Sequence, residues 1–489
     1  MRDVRMKNEE LEKKSKKPKK SQSKWEFTVV KYLFVLLFLA LIGHYVNFQL
    51  NESEDFINND YNSREELFAE RVTRGEIHSA DGKVLATTLV DEEVGEYRFY
   101  PYDYLFSHVV GYSVNGKSGI EKIANFNLLR SHVSMDEKVE TELGEAKYIG
   151  DNVITTLNYE LQEAAYNALS FYEGAIVVME PSTGKILAMV SKPDYNPNNV
   201  EEDWEYLIDE NNTSTVLLNR ATQGLYPPGS TFKMVTTLAF LRENNADTTY
   251  SYACNGMLKA EDSIIHCINN KNHGNVTLEE SFAESCNSSY ANIGLMVDNS
   301  DFQKLCEDLL FNKELPTKFA YSKSSFALTD DSTEAEVVQA AIGQGTTLVT
   351  PFHMALITST IANDGVLMTP YVIDRIENHE GGLVTQYSPT RYGQLITEAE
   401  AQIMQDYMDA VVDYGTGTKL KSDKYDAAGK TGSAEFSSRA DHCHSWFVGY
   451  ASSEGKEDIA VAILVEEAGT GASVAVPMAK EIFDTYFAE

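Results

Sequence analysis

A long apolar stretch near the N-terminus constrains the fold of this chain more than any other sequence feature. It covers the twenty residues Phe27–Val46, with interruptions at only four positions. An α-helix rises about 1.5 Å per residue, so a stretch of this length spans the roughly 30 Å hydrocarbon core of a bilayer. The stretch therefore predicts a helix that crosses a membrane, with the rest of the chain folding outside the bilayer.

Two other interpretations of this stretch are a buried core helix and a cleavable signal peptide. Tyr32–Ile42 has no polar face apart from the tyrosine hydroxyl, and no convincing small-x-small cleavage site follows. We therefore predict a retained anchor at residues 27–48. Basic residues that flank a membrane helix stay on its cytoplasmic side, so the lysine-rich residues 1–26 predict a cytoplasmic tail. The domains that follow the anchor are then expected on the outer side of the membrane.

The charge of the chain is strongly unbalanced. It has 41 Lys and Arg against 74 Asp and Glu, a formal net charge of −33, although its first 31 residues are basic. An acidic body argues against nucleic acid as a partner, because binding phosphates requires a positive surface. With 489 residues, the chain is also long enough for two or more domains.

The cysteines do not form an obvious framework, because there are five of them at scattered positions. Cys254 and Cys267 could pair across a short loop in an exterior compartment, or they could be ordinary buried thiols, and the sequence leaves both open. No CxxC motif or histidine cluster indicates a metal, so we predict neither metal nor cofactor. His266 and His273 lie in a polar loop and are expected to be surface or structural residues.

The pattern of apolar residues predicts an α+β or α/β domain in the second part of the chain. Gly174–Met179 and Lys185–Ser191 are predicted to form a hairpin of apolar strands. Ser445–Ala451 and Asp458–Glu466 are predicted as two edge-like strands that complete the same sheet. The helices lie between these strands, and one of them is predicted to run through Thr277–Val297.

The segment Tyr226-Pro-Pro-Gly-Ser-Thr-Phe-Lys233 carries the first sign of chemistry. Proline and glycine end the preceding chain, and Ser230–Glu243 has helical spacing of its apolar residues. Ser230 is therefore predicted at the N-terminus of a helix, with Lys233 one turn further along on the same face. A hydroxyl beside an amine at a helix N-terminus is typical of an activated nucleophile.

Three motifs in this order resemble the active-site set of the penicillin-binding proteins and serine β-lactamases: Ser230-Thr-Phe-Lys233, Ser285-Cys-Asn287 and Lys430-Thr-Gly432. Their surroundings are similar to class B penicillin-binding proteins, especially the short A type. The segments that share this similarity are Arg74-Gly-Glu-Ile77, Gly174–Gly184, Ala341–Gly345, Gly429–Ala434 and Trp446–Gly449. Met234 stands where many class B members have proline.

The resemblance implies a fold and a domain order. After the tail and anchor, residues 49–152 are expected to form a linker and a mixed β-rich pedestal domain. Residues 153–489 are expected to form the penicillin-binding transpeptidase domain. That domain has an antiparallel sheet flanked by helices and an α-helical subdomain.

The resemblance also implies the catalytic residues of an acyl transfer. Ser230 is the expected nucleophile, and Lys233 is the base that takes its proton if the pKa of the amine is lowered. Lys430 is the expected neighbouring cation. Ser285, whose hydroxyl both donates and accepts, is expected to relay the proton to the leaving group.

Four further residues are expected to bind the substrate. Asn287 offers an amide to the peptide, and Thr431 suits the terminal carboxylate of a D-Ala-D-Ala stem. Gly432 is expected to allow the close approach of an extended peptide. The backbone N–H groups of Ser433 and Ser230 are the expected oxyanion hole.

The function that the resemblance implies is a membrane-anchored peptidoglycan D,D-transpeptidase of a Gram-positive bacterium. Its expected partners are stem peptides (a D-Ala-D-Ala donor and an amine acceptor), β-lactams, the membrane, a SEDS-type glycan polymerase and other division or elongation proteins. The alternatives are a D,D-carboxypeptidase, a β-lactam sensor and a silent division scaffold. The lysines of the Ser-x-x-Lys and Lys-Thr-Gly motifs are both present, which argues against a catalytically silent scaffold. A β-lactam sensor would usually carry several transmembrane segments, and only one is visible here.

Overall fold

The computed structural model of the protein describes residues 24–48, 69–144, 146–261, 263–435 and 443–488. The chain divides into two compact units, residues 1–62 and 63–489. The described part of the first unit contains helix α1 (Lys24–Asn47). Within the described ranges it is the one helix long and apolar enough to cross a membrane, with a mean hydropathy of 2.1. The predicted basic tail lies outside the described residues, apart from its last three.

The second unit combines helices with several small sheets and two larger ones. Its strands are β1 (Val72–Thr73), β2 (Ile77–His78), β3 (Val84–Asp91), β4 (Gly95–Phe99), β5 (Tyr148–Ile149), β6 (Asn152–Thr155), β7 (Gly174–Met179), β8 (Ile186–Lys192), β9 (Ser251–Cys254), β10 (Met257–Ala260), β11 (Ser263–His266), β12 (Gly274–Thr277), β13 (Val366–Met368), β14 (Ile373–Glu377), β15 (Leu383–Gln386), β16 (Arg391–Gln394), β17 (Asp426–Glu435), β18 (Cys443–Ser453) and β19 (Lys456–Val465).

Its helices are α2 (Ser107–Val110), α3 (Gly119–Ile123), α4 (Asn125–Leu128), α5 (Met135–Gly144), α6 (Tyr159–Leu169), α7 (Val200–Leu207), α8 (Lys233–Glu243), α9 (Leu278–Ala283), α10 (Asn287–Gly294), α11 (Asn299–Asp308), α12 (Glu334–Ala341), α13 (Pro351–Ala362), α14 (Glu398–Asp413) and α15 (Ala475–Tyr486). Threonine and glutamate three residues apart form capping boxes at the starts of α9, α12 and α14. Each box satisfies two backbone donors that the first turn leaves free.

The central sheet has five antiparallel strands in the order β17-β18-β19-β7-β8. The β7–β8 hairpin is therefore completed by strands from the far end of the chain, as the sequence predicts. The prediction that β18 and β19 are edge-like was wrong, because each has a neighbour on both sides. The edge strands are β8 and β17, and β17 carries Lys430.

Both faces of this sheet are covered, which explains why its strands are continuously apolar. Alternate residues of a strand point to opposite faces. Ile176 and Val178 belong to the cluster formed with α6 and α15, whereas Ala175 and Val177 belong to the cluster that includes α13. The sheet thus lies between two layers of helices, and the observed class is the predicted α+β fold.

The predicted helix over Thr277–Val297 is two helices, α9 and α10, and that prediction was wrong. The break falls at Ser285, whose φ is +55°. The left-handed region is disfavoured for a residue with a Cβ, so an α-helix cannot continue through it. The turn lets Ser285 leave the helical path, and Cys286 then caps α10.

A six-stranded sheet, β15-β14-β6-β2-β3-β4, takes three strands (β2, β3 and β4) from the predicted pedestal, and β6 lies at its boundary. Beside it, Glu121 lies fully buried and accepts hydrogen bonds from Arg74 and Arg98 at 2.7 Å each. Strands β14 and β15 come from the predicted transpeptidase domain and join the same sheet. The boundary between residues 152 and 153 stays a prediction.

Candidate active site

The segment that carries Ser230 is a 3₁₀ turn, Gly229–Phe232, which leads directly into α8. The α-helix thus begins at Lys233, three residues later than the spacing predicts. Ser230 is only 7% exposed and lines a cleft of about 520 Å³. Proline and glycine before Ser230 allow the chain to turn sharply before the helix starts.

Contacts from distant elements hold this turn in place. Trp446 of β18 is fully buried and donates its indole N–H to the Pro227 carbonyl at 3.0 Å. The Gly229 N–H donates to the Gly343 carbonyl at 2.9 Å. Gly229 has a φ of +54°, and a Cβ there would approach Ala434 of β17 at 3.0 Å. These constraints require glycine at 229 and fix the nucleophile turn against the edge strand.

Lys233 points from the first turn of α8 into the protein interior and is fully buried. Its Nζ donates to the Ser285 carbonyl at 2.8 Å, to Asn287 Oδ1 at 2.7 Å and to Ser285 Oγ at 3.2 Å. It also lies 5.2 Å from the centre of the Tyr290 ring. Burial lowers the pKa of Lys233 to about 8, because the charged amine loses its hydration.

Lys430 reaches the same hydroxyl from β17. Its Nζ donates to Ser285 Oγ at 3.0 Å and to the Thr431 carbonyl at 3.1 Å. Burial and then the nearby charge of Lys233 lower the pKa of Lys430 well below its usual range. Two buried amines that share one hydroxyl cannot easily both stay charged, so the site favours a state with one proton fewer.

Ser285 is the meeting point of the two lysines. Its left-handed backbone turn ends α9 and directs the side chain toward both amines instead of along a helix face. A hydroxyl between two amines can accept a proton from one and donate to the other. This geometry is suited to proton relay, the role that the sequence assigns to Ser285.

The predicted substrate-binding residues border the cleft on the β17 side. Thr431 Oγ1 lies 2.6 Å from Thr416 Oγ1, and both residues line the cleft with Ser433. Gly432 also lines it, but a Cβ at Gly432 would lie 2.9 Å from atoms of Thr231 and of Trp446. The requirement for glycine at 432 therefore comes from packing against the nucleophile turn and not only from a passing peptide.

Asn287 lies between the two sides of the site. Its Oδ1 accepts from Lys233, and its Nδ2 donates to the His266 carbonyl at 2.9 Å. In this structure the amide therefore links Lys233 to the end of β11. Its predicted contact with a substrate peptide stays a prediction.

The structure also brings together residues that sequence reasoning kept apart. Sγ atoms of Cys254 and Cys286 flank that of Cys267 at 3.8 and 3.7 Å, and His273 Nδ1 lies 3.4 Å from Cys254. These cysteines are free thiols, not the disulfide left open by the sequence. His273 also lines the active-site cleft.

Comparison with known proteins identifies the family. The model for the penicillin binding protein transpeptidase domain matches residues 174–484. The chain belongs to this family. Among its transpeptidase relatives, peptidoglycan D,D-transpeptidase PbpA of Mycolicibacterium smegmatis is 29% identical over 436 residues, which cover 83% of this chain and 87% of that protein.

Solved structures of the family share the fold. The D,D-transpeptidase domain of a peptidoglycan glycosyltransferase from Eggerthella lenta has a TM-score of 0.75 and is 33% identical, covering 86% of this chain and 99% of that one. Penicillin-binding protein A of M. tuberculosis, as its imipenem acyl-enzyme, has a TM-score of 0.76 and is 26% identical, covering 85% and 99%. These structures confirm the predicted fold of the transpeptidase.

Sequence reasoning overlooked some residues that line the cleft of this transpeptidase. Thr416 follows α14 in the run Tyr414-Gly-Thr-Gly-Thr418, and its backbone N–H donates to the Ala283 carbonyl at 3.2 Å. A Gly-Thr-Gly run between helix and strand was the available signal. Thr470 also lines the cleft, and no sequence motif marks it.

Proposed function

We propose that this protein is a peptidoglycan D,D-transpeptidase that crosslinks stem peptides through an acyl-enzyme on Ser230. The observation that carries the proposal is the pair of fully buried lysines that share the Ser285 hydroxyl at the cleft lined by Ser230. Relatives named peptidoglycan D,D-transpeptidase and the acyl-enzyme structures of M. tuberculosis penicillin-binding protein A support the same chemistry.

The first half-reaction forms an ester on Ser230. The neutral amine of Lys233 takes the hydroxyl proton, and Ser230 Oγ bonds to the carbonyl carbon of the penultimate D-Ala. The N–H groups of Ser230 and Ser433 stabilise the oxyanion. When the C–N bond breaks, Ser285 passes a proton to the amine of the terminal D-Ala, which leaves, and Lys233 re-protonates Ser285.

The second half-reaction consumes that ester. The amine of an acceptor stem attacks the ester carbonyl, loses a proton to the same relay, and leaves Ser230 with its hydroxyl restored. The product is a peptide crosslink. Water in place of the amine would instead give a carboxypeptidase, and a β-lactam would form a lasting ester because its leaving group stays attached.

The location and assembly of the enzyme are part of the proposal. Helix α1 supports a single-pass anchor, with the basic tail in the cytoplasm and the transpeptidase outside. We propose that the pedestal contacts other wall-synthesis proteins, including a SEDS-type polymerase that makes the glycan strands. Protease treatment of wall-stripped cells should degrade the chain beyond residue 50 and spare a short N-terminal fragment, and loss of the tail instead would reverse this orientation.

Labelling with fluorescent penicillin tests the function directly. The detergent-solubilised full chain should carry one label that persists for many minutes, and Ser230→Ala should carry none. Incubation with a stem-peptide donor and an amine acceptor should then give a crosslinked product. A label that turns over within seconds would indicate a β-lactamase, and release of D-Ala without any crosslink would indicate the carboxypeptidase.

A further inference from the structure

Three thiols and one imidazole that the proposed reaction does not use converge beside the active site. The ligand atoms of Cys254, Cys267, His273 and Cys286 all lie within 4.8 Å of one another. They come from four separate places: the end of β9, the residue after β11, the residue before β12, and the N-cap of α10. Convergence of this kind is built by the fold and not by a local sequence motif.

Their spacing matches the edges of a metal tetrahedron. With Zn–S bonds of about 2.3 Å and Zn–N bonds of about 2.0–2.1 Å, tetrahedral ligands stand about 3.8 Å apart for two sulfurs and about 3.6 Å for sulfur and nitrogen. The two sulfur separations through Cys267 are 3.8 and 3.7 Å, and Cys254 lies 3.4 Å from the His273 nitrogen. A disulfide would require about 2.05 Å.

The surroundings of the cluster combine burial with hydrogen-bond donors to sulfur. The three cysteines are at most 2% exposed. The Ser288 hydroxyl lies 3.2 Å from Cys254 Sγ, and the Gly256 N–H donates to the same sulfur at 3.4 Å. Donors aimed at sulfur stabilise ligating thiolates, and a site of four protein ligands, three of them buried here, is typical of structural zinc.

We propose that Cys254, Cys267, His273 and Cys286 bind one structural zinc ion. Three soft thiolates and an imidazole favour zinc over magnesium or calcium, which prefer oxygen ligands. Binding releases the thiol protons to solvent and involves no redox change. The ion ties the antiparallel β9–β12 pair and the end of β11 to the start of α10.

The ion has a consequence for catalysis, and this part rests on the proposed function. Cys286 lies between Ser285 and Asn287, the two residues that contact Lys233. Fixing Cys286 through zinc holds the left-handed turn at Ser285 and thereby the position of the relay hydroxyl. A misplacement of about 1 Å in such a group can cost about 10²-fold in rate.

Metal content of the full chain is the direct test. Detergent-solubilised protein, purified without a metal-affinity step or chelator, should contain about one zinc per chain by inductively coupled plasma mass spectrometry. X-ray absorption at the zinc edge should show about three sulfurs and one nitrogen. Ser230→Ala should keep the zinc while losing the penicillin label, so failure of the function and failure of the zinc site are distinguishable.

Variants locate the ion. His273→Ala should lose most of the zinc, because it removes one ligand with little change in packing, and His273→Cys should restore it through a fourth thiolate. Cys306→Ala, which alters a buried thiol in α11 outside the cluster, should retain the zinc. We also expect penicillin labelling of His273→Ala to slow by about tenfold to a hundredfold, with recovery in His273→Cys.

Several results would overturn the proposal. One is a wild-type chain that binds no zinc even after incubation with the ion. Another is a Cys254–Cys267 disulfide found by mass spectrometry of unreduced peptides. A third is undiminished zinc in both His273→Ala and Cys286→Ala, which would place the ion elsewhere.

Discussion

The pedestal and the active site both bury ionisable side chains, but only in the pedestal are these side chains paired with opposite charges. Glu121 accepts from two arginines, and although burial raises its pKa, Arg74 and Arg98 hold the pKa of this carboxyl below its ordinary value. By contrast, among the described residues no carboxylate forms an ion pair with Lys233 or Lys430, and burial lowers both amine pKa values.

The difference separates a structural cluster from a reactive one. A buried charge with opposite charges around it has a stable protonation state and resists removal of either partner. Buried amines that contact only a hydroxyl, an amide, carbonyls and ring faces have lowered pKa values. A lysine with a lowered pKa loses its proton more easily and can then act as a base. The same degree of burial thus supports stability in one region and catalysis in the other.

The largest expected effect is on the reactive cluster. Lys233→Ala should slow penicillin acylation by about 10²- to 10⁴-fold, because it removes the general base. Thermal unfolding should change little, since no buried opposite charge is left unpaired. Stopped-flow or gel-based labelling measures the rate, and Lys430→Ala should slow it less, because it removes a hydrogen bond to the Ser285 hydroxyl and not the proton acceptor.

Lys192→Ala is the matched control, since this half-buried lysine bonds to the Tyr166 and Ser170 carbonyls away from the cleft. Its labelling should match the wild type. Normal labelling of Lys233→Ala would show that this lysine is not the base. The contrast between the two buried clusters would then no longer explain catalysis.

The second effect is on the neutralised cluster. Glu121→Ala should lower the free energy of unfolding by about 3–5 kcal/mol, because two buried guanidinium groups lose their counter-charge. The pKa of Glu121 in the folded protein is lower than that of a carboxyl in the unfolded chain. The stabilising effect of Glu121 is therefore complete above the unfolded pKa and is lost as the pH falls through the folded pKa. Urea unfolding measures the change.

Glu96→Ala, which breaks the half-exposed pair with Lys147, is its control and should cost about 0–1 kcal/mol. Slow acylation by Glu121→Ala that remains well folded would show that the two clusters are not independent.

The third effect is the pH dependence of acylation. As the proposed base, Lys233 can take a proton only when it is neutral, and its pKa is about 8, so the acylation rate should rise with pH and level off above this value. Below it, the rate should fall about tenfold per pH unit, since the neutral fraction falls by that factor. A flat profile between pH 6 and 9 would contradict an amine base.

The smallest expected effect concerns Thr416. Thr416→Val keeps the volume but removes the hydroxyl that lies 2.6 Å from Thr431. Loss of one hydrogen bond costs about 0.5–1.5 kcal/mol, which is roughly a two- to tenfold loss in kcat/KM for the donor peptide. Steady-state kinetics should show this mainly in KM, and an unchanged value would assign Thr416 no role in orienting Thr431.

Local sequence signals predicted the anchor, the nucleophile segment and the apolar strands, because each depends on neighbouring residues. The break at Ser285 was missed, since a single left-handed residue leaves no periodic trace in a helical pattern. Strands β18 and β19 were misjudged because their burial depends on partners far away in the chain. The cysteine cluster was hidden for the same reason, as Cys254 and Cys286 meet only after folding.

The pairing of β19 with β7 also sets the order of events during synthesis. Val178 is made long before Val461, its partner across the sheet. Closing so long a loop is slow, and strands β7 and β8 can complete their sheet only after β17, β18 and β19 have been made. Ser230 and Lys233 therefore leave the ribosome without Lys430, whose strand joins the sheet only through β18 and β19. The complete constellation of Ser230, Lys233 and Lys430 therefore forms only after the last strands of the chain have joined the sheet.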